Sequence, residues 1–323
     1  MTYNCEDNID KYIASFSRTQ KDTTKKKGLI LPKMEDIATL EDELMDLFFP
    51  GLSGGETKSK LISVVAYHME NVTRLLYDSI LLAVSYEDKG ETSMNILESK
   101  TLKIVEGLAD RFADIRNMLK EDAEAGYRGD PSANNIHEII LCYPVIRALA
   151  VHRVAHYLYK QGVPLIPKMM NEVMHQRTGI DIHPGAEIGR HFFIDHGTGV
   201  VIGETAVIGN NVKIYQGVTL GAISFPKDSC GLLLRGAKRH PTIEDNVTIY
   251  ANASILGNIT IGKGSIIGSS VWLKDSVPPC SIVTMTTPQI KIRKIDNCEC
   301  CMEEDPPISP ADEAKMRDEE ESI

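Results

Sequence analysis

At 323 residues the chain is long enough for about two domains that bury their own cores without disulfide or metal staples. Its formal net charge of -10 argues against binding a phosphate backbone or an anionic membrane surface, so neither nucleic acid nor membrane is an expected partner. No apolar run approaches the roughly 20 residues of a membrane span, and the first thirty residues carry Glu6, Asp7 and Asp10 with no apolar signal core; a cytoplasmic, reducing setting is expected.

Taken in chain order, the N-terminal arm holds the one strong basic run, Lys25 to Lys27, which reads as a solvated tail. Apolar residues then recur at spacings of three and four, as in Ile37, Leu40, Leu44 and Leu47, or Val105, Leu108, Phe112, Ile115 and Leu119. That period predicts amphipathic helices, with further helical stretches over 61–86, over 136–160, and from Pro164 or Pro167 to about Arg177. Residues 1–178 are expected to form an α-helical domain.

From Ile182 the period changes to six. Aliphatic residues stand at Ile182, Ile188 and Ile194, then after a two-residue slip at Ile202, Ile208, Ile214 and Leu220; a second register runs Ile243, Ile249, Ile255, Ile261, Ile267 and Leu273. Four places after most of these comes a small or β-branched residue, such as Ala206, Val212, Val218, Val247 and Ala253. A repeat of this length predicts a parallel β-helix whose three short strands make one coil, with the aliphatics filling the prism over 179–290. The fold class is therefore α+β. Between the two registers, residues 223–238 lack the period and carry Pro226, Gly231 and Gly236, so they must leave the prism as a loop, a candidate wall or lid of a site.

Residues 291–323 read as a flexible acidic tail: from Glu299 to the end, ten Asp or Glu face only Lys315 and Arg317. Its Cys298, Cys300 and Cys301 have no matching second ligand pair nearby, and no metal is expected there.

Chemistry points to the prism. His196 follows Asp195 and precedes Gly197 and Gly199, while Asp181 lies fifteen residues earlier, close to one coil below. Such a carboxylate can fix the imidazole tautomer as the other nitrogen takes a proton, and an unperturbed histidine titrates near pH 6.5, which suits a general base.

The stretches Asp181-Ile182-His183-Pro184, Ile194-Asp195-His196-Gly197-Thr198-Gly199, Gly203-Glu204-Thr205-Ala206, Gln216 to Gly221 and Arg239-His240-Pro241 resemble the serine O-acetyltransferases, with the likeness reaching back to Arg128-Gly129-Asp130-Pro131. The resemblance implies a left-handed β-helix, transfer of acetyl from acetyl-CoA to L-serine, and acetyl-CoA as a cosubstrate with no tightly bound cofactor. It implies that His196 is the base and Asp181 its orienting acid. Asp130 and Asp195 would hold the substrate ammonium, and Arg239 with His240 its carboxylate, the arrangement a zwitterion requires. An amide near Gly221 or Ala222 would face the oxyanion, and CoA would run past Ala251 and Ser269 in a groove between prisms of a trimer or dimer of trimers. Ser269 replaces the family's usual alanine, and the stretch from Thr284 to Pro288 departs from its closing element. The terminal Ile323 suggests binding to cysteine synthase, and L-cysteine would fit the serine site as an inhibitor.

Other readings compete. A hexapeptide acyltransferase acting on a sugar needs only the prism and the base. A zinc lyase of the γ-carbonic-anhydrase kind would use His183, His191 and His196 as ligands, and a third reading is a non-catalytic scaffold that regulates cysteine synthase.

Overall fold

A computed structural model describes residues 30–53, 57–88, 90–224, 232 and 236–286. The expectations for the basic arm, most of the 223–238 loop, the C-terminal cysteines, the acidic tail and Ile323 lie outside these residues.

The described part opens with seven α-helices: α1 (Met34–Phe48), α2 (Lys58–Asp88), α3 (Met94–Ala109), α4 (Phe112–Gly129), α5 (Ile136–Cys142), α6 (Pro144–Lys160) and α7 (Ile166–Thr178). The spacing that defines α1 puts Ile37, Leu40, Leu44 and Leu47 on its buried face, and Glu35 and Asp36 complement the positive end of its dipole. α6 is buried almost all round, from Val145 to Ala155, because it packs against α1, α3, α4 and α7 at once.

Two expected helices are each two. The period from Val105 to Leu119 runs through a tight turn at Asp110-Arg111, where Arg111 N–H donates to Leu108 O at 2.9 Å, so the apolar spacing survives a change of axis. The stretch 136–160 breaks at Tyr143, and α5 and α6 meet at a 71° bend. Pro144 lacks an N–H and forces the residue before it out of the helical region, and Tyr143 is extended (φ -92, ψ 124). Pro167 stands in the first turn of α7, and Gly179 ends it in the left-handed conformation (φ 71).

From Asp181 the chain winds a left-handed parallel β-helix with fourteen short strands among the described residues, β1 (Asp181–Ile182) to β14 (Ile282–Val283). Three sheets form its faces: β1-β4-β7-β10-β13, β2-β5-β8-β11 and β3-β6-β9-β12-β14. The period-six aliphatics stack in register, for example Ile182 with Ile202 and Leu220, and Ile194 with Ile214 and Ile249. These six are buried, and the residues four places after the repeat aliphatics (Ala206, Val212, Val218, Val247, Ala253) close the corners of the core. The two-residue slip falls between β3 (Phe193–Ile194) and β4 (Val201–Ile202), which makes the corner around His196 longer than the corners stacked on it.

Helices and prism share one compact unit that ends at Met285. A buried ion pair fastens them: Asp122 of α4 accepts from Arg153 Nη2 of α6 at 2.6 Å and from Phe192 N–H of the prism at 2.9 Å, and Arg153 also donates to Gly189 O at 3.1 Å.

Candidate active site

The polar residues singled out in the sequence gather at two corners that flank the five-stranded sheet begun by β1. At the first corner, between β3 and β4, the backbone reverses through left-handed conformations at His196 (φ 59), Gly197 (φ 84) and Gly199 (φ 78). A Cβ on Gly197 would lie 2.6 Å from Ile180 Cδ1, so only glycine lets the corner pack this close to the coil's start. The turn leaves the His196 side chain 70% exposed, with Nε2 3.9 Å from Asp195 Oδ1, while Asp195 itself is buried. Successive coils stack on this corner through Gly217 N–H to Thr198 O, Asn252 N–H to Gln216 O and Ser270 N–H to Ala251 O, so Ala251 and Ser269 continue the same edge above His196.

Asp181 begins β1 beside this corner: Gly199 N–H donates to Gly179 O at 2.8 Å. Its Oδ1 accepts from Asn171 Nδ2 of α7 at 2.9 Å, and among the described residues no hydrogen bond joins it to His196. An imidazole this exposed has no packing to hold it in one rotamer, which leaves the expected pair adjacent but not bonded.

Asp130 caps the end of α4 and reaches the first corner through Lys213. Its Oδ1 accepts from Ser132 N–H (2.9 Å) and Ser132 Oγ (2.7 Å), and its Oδ2 from the Tyr143 hydroxyl. These bonds, Tyr143 first, hold its carboxyl down at about 2, so it is a fixed negative charge at neutral pH. Lys213 Nζ donates to Gly129 O at 2.5 Å and lies 3.7 Å from Asp195 Oδ2.

The second corner lies at the opposite edge of that sheet, between its strands and those of the sheet begun by β2. Arg239 pairs with Glu204, which also accepts from Tyr159 OH at 2.7 Å; burial pushes the Glu204 carboxyl up, but these two donors keep it below its usual range. The bond to Glu204, aided by burial, drives Tyr159 up to about 12, so its proton stays. His240 is buried with Nδ1 accepting from Thr205 N–H at 3.0 Å. His183 Nδ1 likewise accepts from Gly185 N–H at 3.0 Å. Burial, with Arg239 adding for His240 and Lys168 for His183, lowers both rings to about 4. Each is neutral at pH 7 and offers an Nε2–H donor. Gly203 has no room for a Cβ, which would fall on the His240 ring. Gly221 ends β7 (Thr219–Gly221) at this corner, with Ala222 next to it.

The arrangement thus supplies an exposed imidazole beside the side chains of Asp195, Asp181 and Asp130 at one edge and a guanidinium with neutral imidazole donors at the other. Within one chain the two halves do not meet. The histidines of the zinc reading do not converge within one chain either: His183 stands at the second corner, His196 at the first, and His191 at a third, beside Arg128 and Glu121. Among the described residues no group of three or more His, Cys, Asp or Glu side chains could hold a metal. Sequence reasoning missed Tyr143, Asn171, Lys213 and Tyr159. Each reaches the site through a contact that only the folded chain creates.

Residues 240–275 match the bacterial transferase hexapeptide (six repeats) family. The chain is 45% identical to a plasmid serine acetyltransferase of Synechococcus elongatus over 277 residues, 83% of this chain and 85% of that one. It is 48% identical to the serine acetyltransferase of Bacillus subtilis over 51% of this chain and 72% of that one. Among solved structures it resembles serine acetyltransferase isoform 3 of Entamoeba histolytica in complex with cysteine, at 36% identity and a TM-score of 0.68, covering 88% of this chain and 92% of that one.

Proposed function

The chain belongs to the serine acetyltransferase family, and from that premise we propose how its residues divide the reaction. It is an acetyl-CoA-dependent acyltransferase whose acceptor is the hydroxyl of L-serine and whose product, O-acetyl-L-serine, feeds cysteine biosynthesis. The observation that carries the division of roles is the split of polar groups between two corners at opposite edges of one sheet. It supports sites formed between copies of the chain, the first corner of one prism facing the second corner of its neighbour in a trimer.

In this reading His196 removes the serine hydroxyl proton while the oxygen attacks the thioester carbonyl. Collapse of the tetrahedral intermediate expels the CoA thiolate, which takes the proton back from His196, so no acyl-enzyme forms. Asp181, one coil below, turns from Asn171 to orient the ring when substrate fixes it. Asp130 and Asp195 receive the ammonium. Arg239, held by Glu204, receives the carboxylate together with the His240 Nε2–H. An amide of Gly221 or Ala222 faces the oxyanion, and CoA lies along the edge of Ala251 and Ser269.

L-Cysteine differs from serine only at the reacting atom, and the Entamoeba relative was solved with cysteine. Cysteine is thus a competitive inhibitor at this site, and Ile323 at the end of the acidic tail is a docking point for cysteine synthase.

A thiol-release assay with acetyl-CoA against serine, other amino acids and amino sugars tests the substrate, and His196→Ala tests the base. Serine-dependent release that falls about 100-fold or more in the variant is expected. Release with a sugar but not serine, or unchanged turnover in the variant, would overturn the assignment.

A further inference from the structure

Beside the two carboxylates of the first corner stands a cation that the reaction scheme leaves unused. Lys213 opens β6 (Lys213–Ile214), directly across the ladder from Phe193. Its side chain is 20% exposed, and its Nζ lies 4.6 Å from the Tyr215 ring centre and 5.6 Å from that of Phe193, with Tyr215 stacked in turn on Tyr250. The hydrogen bond to Gly129 O anchors Nζ at the end of α4. The charged groups that face it are Asp195, at 3.7 Å, and Asp130 at the α4 cap.

The two acids are not equivalent. Asp130 already has three donors, from Ser132 and Tyr143, and needs no counter-ion. Asp195 is buried and has one oxygen toward Lys213 and the other toward His196 Nε2. We infer that Lys213 is a resident counter-ion of Asp195, a positioning residue that leaves Asp130 as the main seat of the substrate ammonium and screens the base from the full charge of its neighbouring carboxylate.

Asp195 and Lys213 offset one another, which leaves the Asp130 carboxylate to meet the ammonium of serine, while Asp181 carries the same charge with or without Lys213. Without Lys213 the Asp195 carboxylate, 3.9 Å from the base, is uncompensated, and an opposite charge at that range favours the imidazolium, which cannot accept the serine proton. The other acid near His196 is Asp181, whose Oδ1 is occupied by Asn171.

This inference rests on His196 being the base, and the test separates the two. The pH dependence of kcat/KM for serine is measured for wild type, Lys213→Met, Lys213→Gln and Lys213→Arg, with His196→Ala as control and the oligomer checked by gel filtration. Methionine keeps an apolar stem against the two rings but removes the charge together with the donor to Gly129 O, whereas glutamine removes the charge and keeps an amide donor. The acid limb is expected to move up by about half to one pH unit in Lys213→Met and Lys213→Gln, and to return in Lys213→Arg. A limb that stays in place in both neutral variants while His196→Ala is inactive overturns the counter-ion alone. So does a shift that Lys213→Arg fails to reverse, since a mere tether would explain it. An active His196→Ala overturns the base and this inference with it.

Discussion

Glu41 is a charged-type residue placed where charge is costly. It lies on α1, fully buried, with neither carboxylate oxygen hydrogen-bonded and Arg177 Nη1 3.5 Å from Oε2. Burial pushes its carboxyl from the usual 4.5 up to about 8, with Arg177 and Arg147 pulling back only part of the way. The folded protein therefore keeps a proton that the unfolded chain releases above its ordinary range. Stability from this group is fully present below about pH 4.5, falls as pH rises toward 8, and is constant beyond. At about 1.4 kcal/mol per unit, that span is worth roughly 5 kcal/mol as an upper bound. Glu41→Gln mimics the protonated form and removes the linkage. Urea unfolding of both proteins at fixed chain concentration from pH 5 to 9 should show the glutamine variant gaining on wild type as pH rises, by a few kcal/mol in all. A difference between the two that does not change with pH would refute the reasoning.

Three further outcomes are expected. Tyr143→Phe removes the leading donor to Asp130 but leaves it ionised at pH 7, so serine KM should rise about 5-fold with little change in kcat, as for a hydrogen bond worth about 1 kcal/mol; steady-state kinetics checks this. Gly203→Ala places a methyl where the His240 ring sits and should lower kcat/KM by about 10- to 100-fold while circular dichroism stays unchanged. Asp122→Ala strands Arg153 between helices and prism and should cost about 3–5 kcal/mol in denaturant unfolding.

The prism was legible because each strand contributes one inward aliphatic, so burial writes itself into the sequence at a fixed spacing; the two-residue slip even marked the corner that carries His196. The helix break at Asp110-Arg111 was not, since a tight turn preserves the three-and-four spacing; the break at Tyr143 was signalled by Pro144, well inside the expected 136–160 stretch, although the apolar spacing continues on both sides of it. Motif residues such as Asp181, His196 and Arg239 could be named from the chain alone. Their supports could not: Asn171 reaches Asp181 only because α7 docks on β1, and Lys213 meets Gly129 across 84 residues. Exposure of His196 and its lack of a bond to Asp181 are likewise properties of the folded corner.

The central claim, that one site takes its base from one chain and its carboxylate clamp from another, is tested most directly by subunit mixing. His196→Ala chains, which lack the base, and Arg239→Ala chains, which bind serine weakly, are co-expressed and the mixed oligomers assayed for thiol release at a serine concentration where neither parent is active. If every site joins the first corner of one copy to the second corner of its neighbour, random mixing leaves one site in four with both residues intact, and activity should return to about a quarter of wild type. Mixed oligomers as inactive as their parents would contradict it.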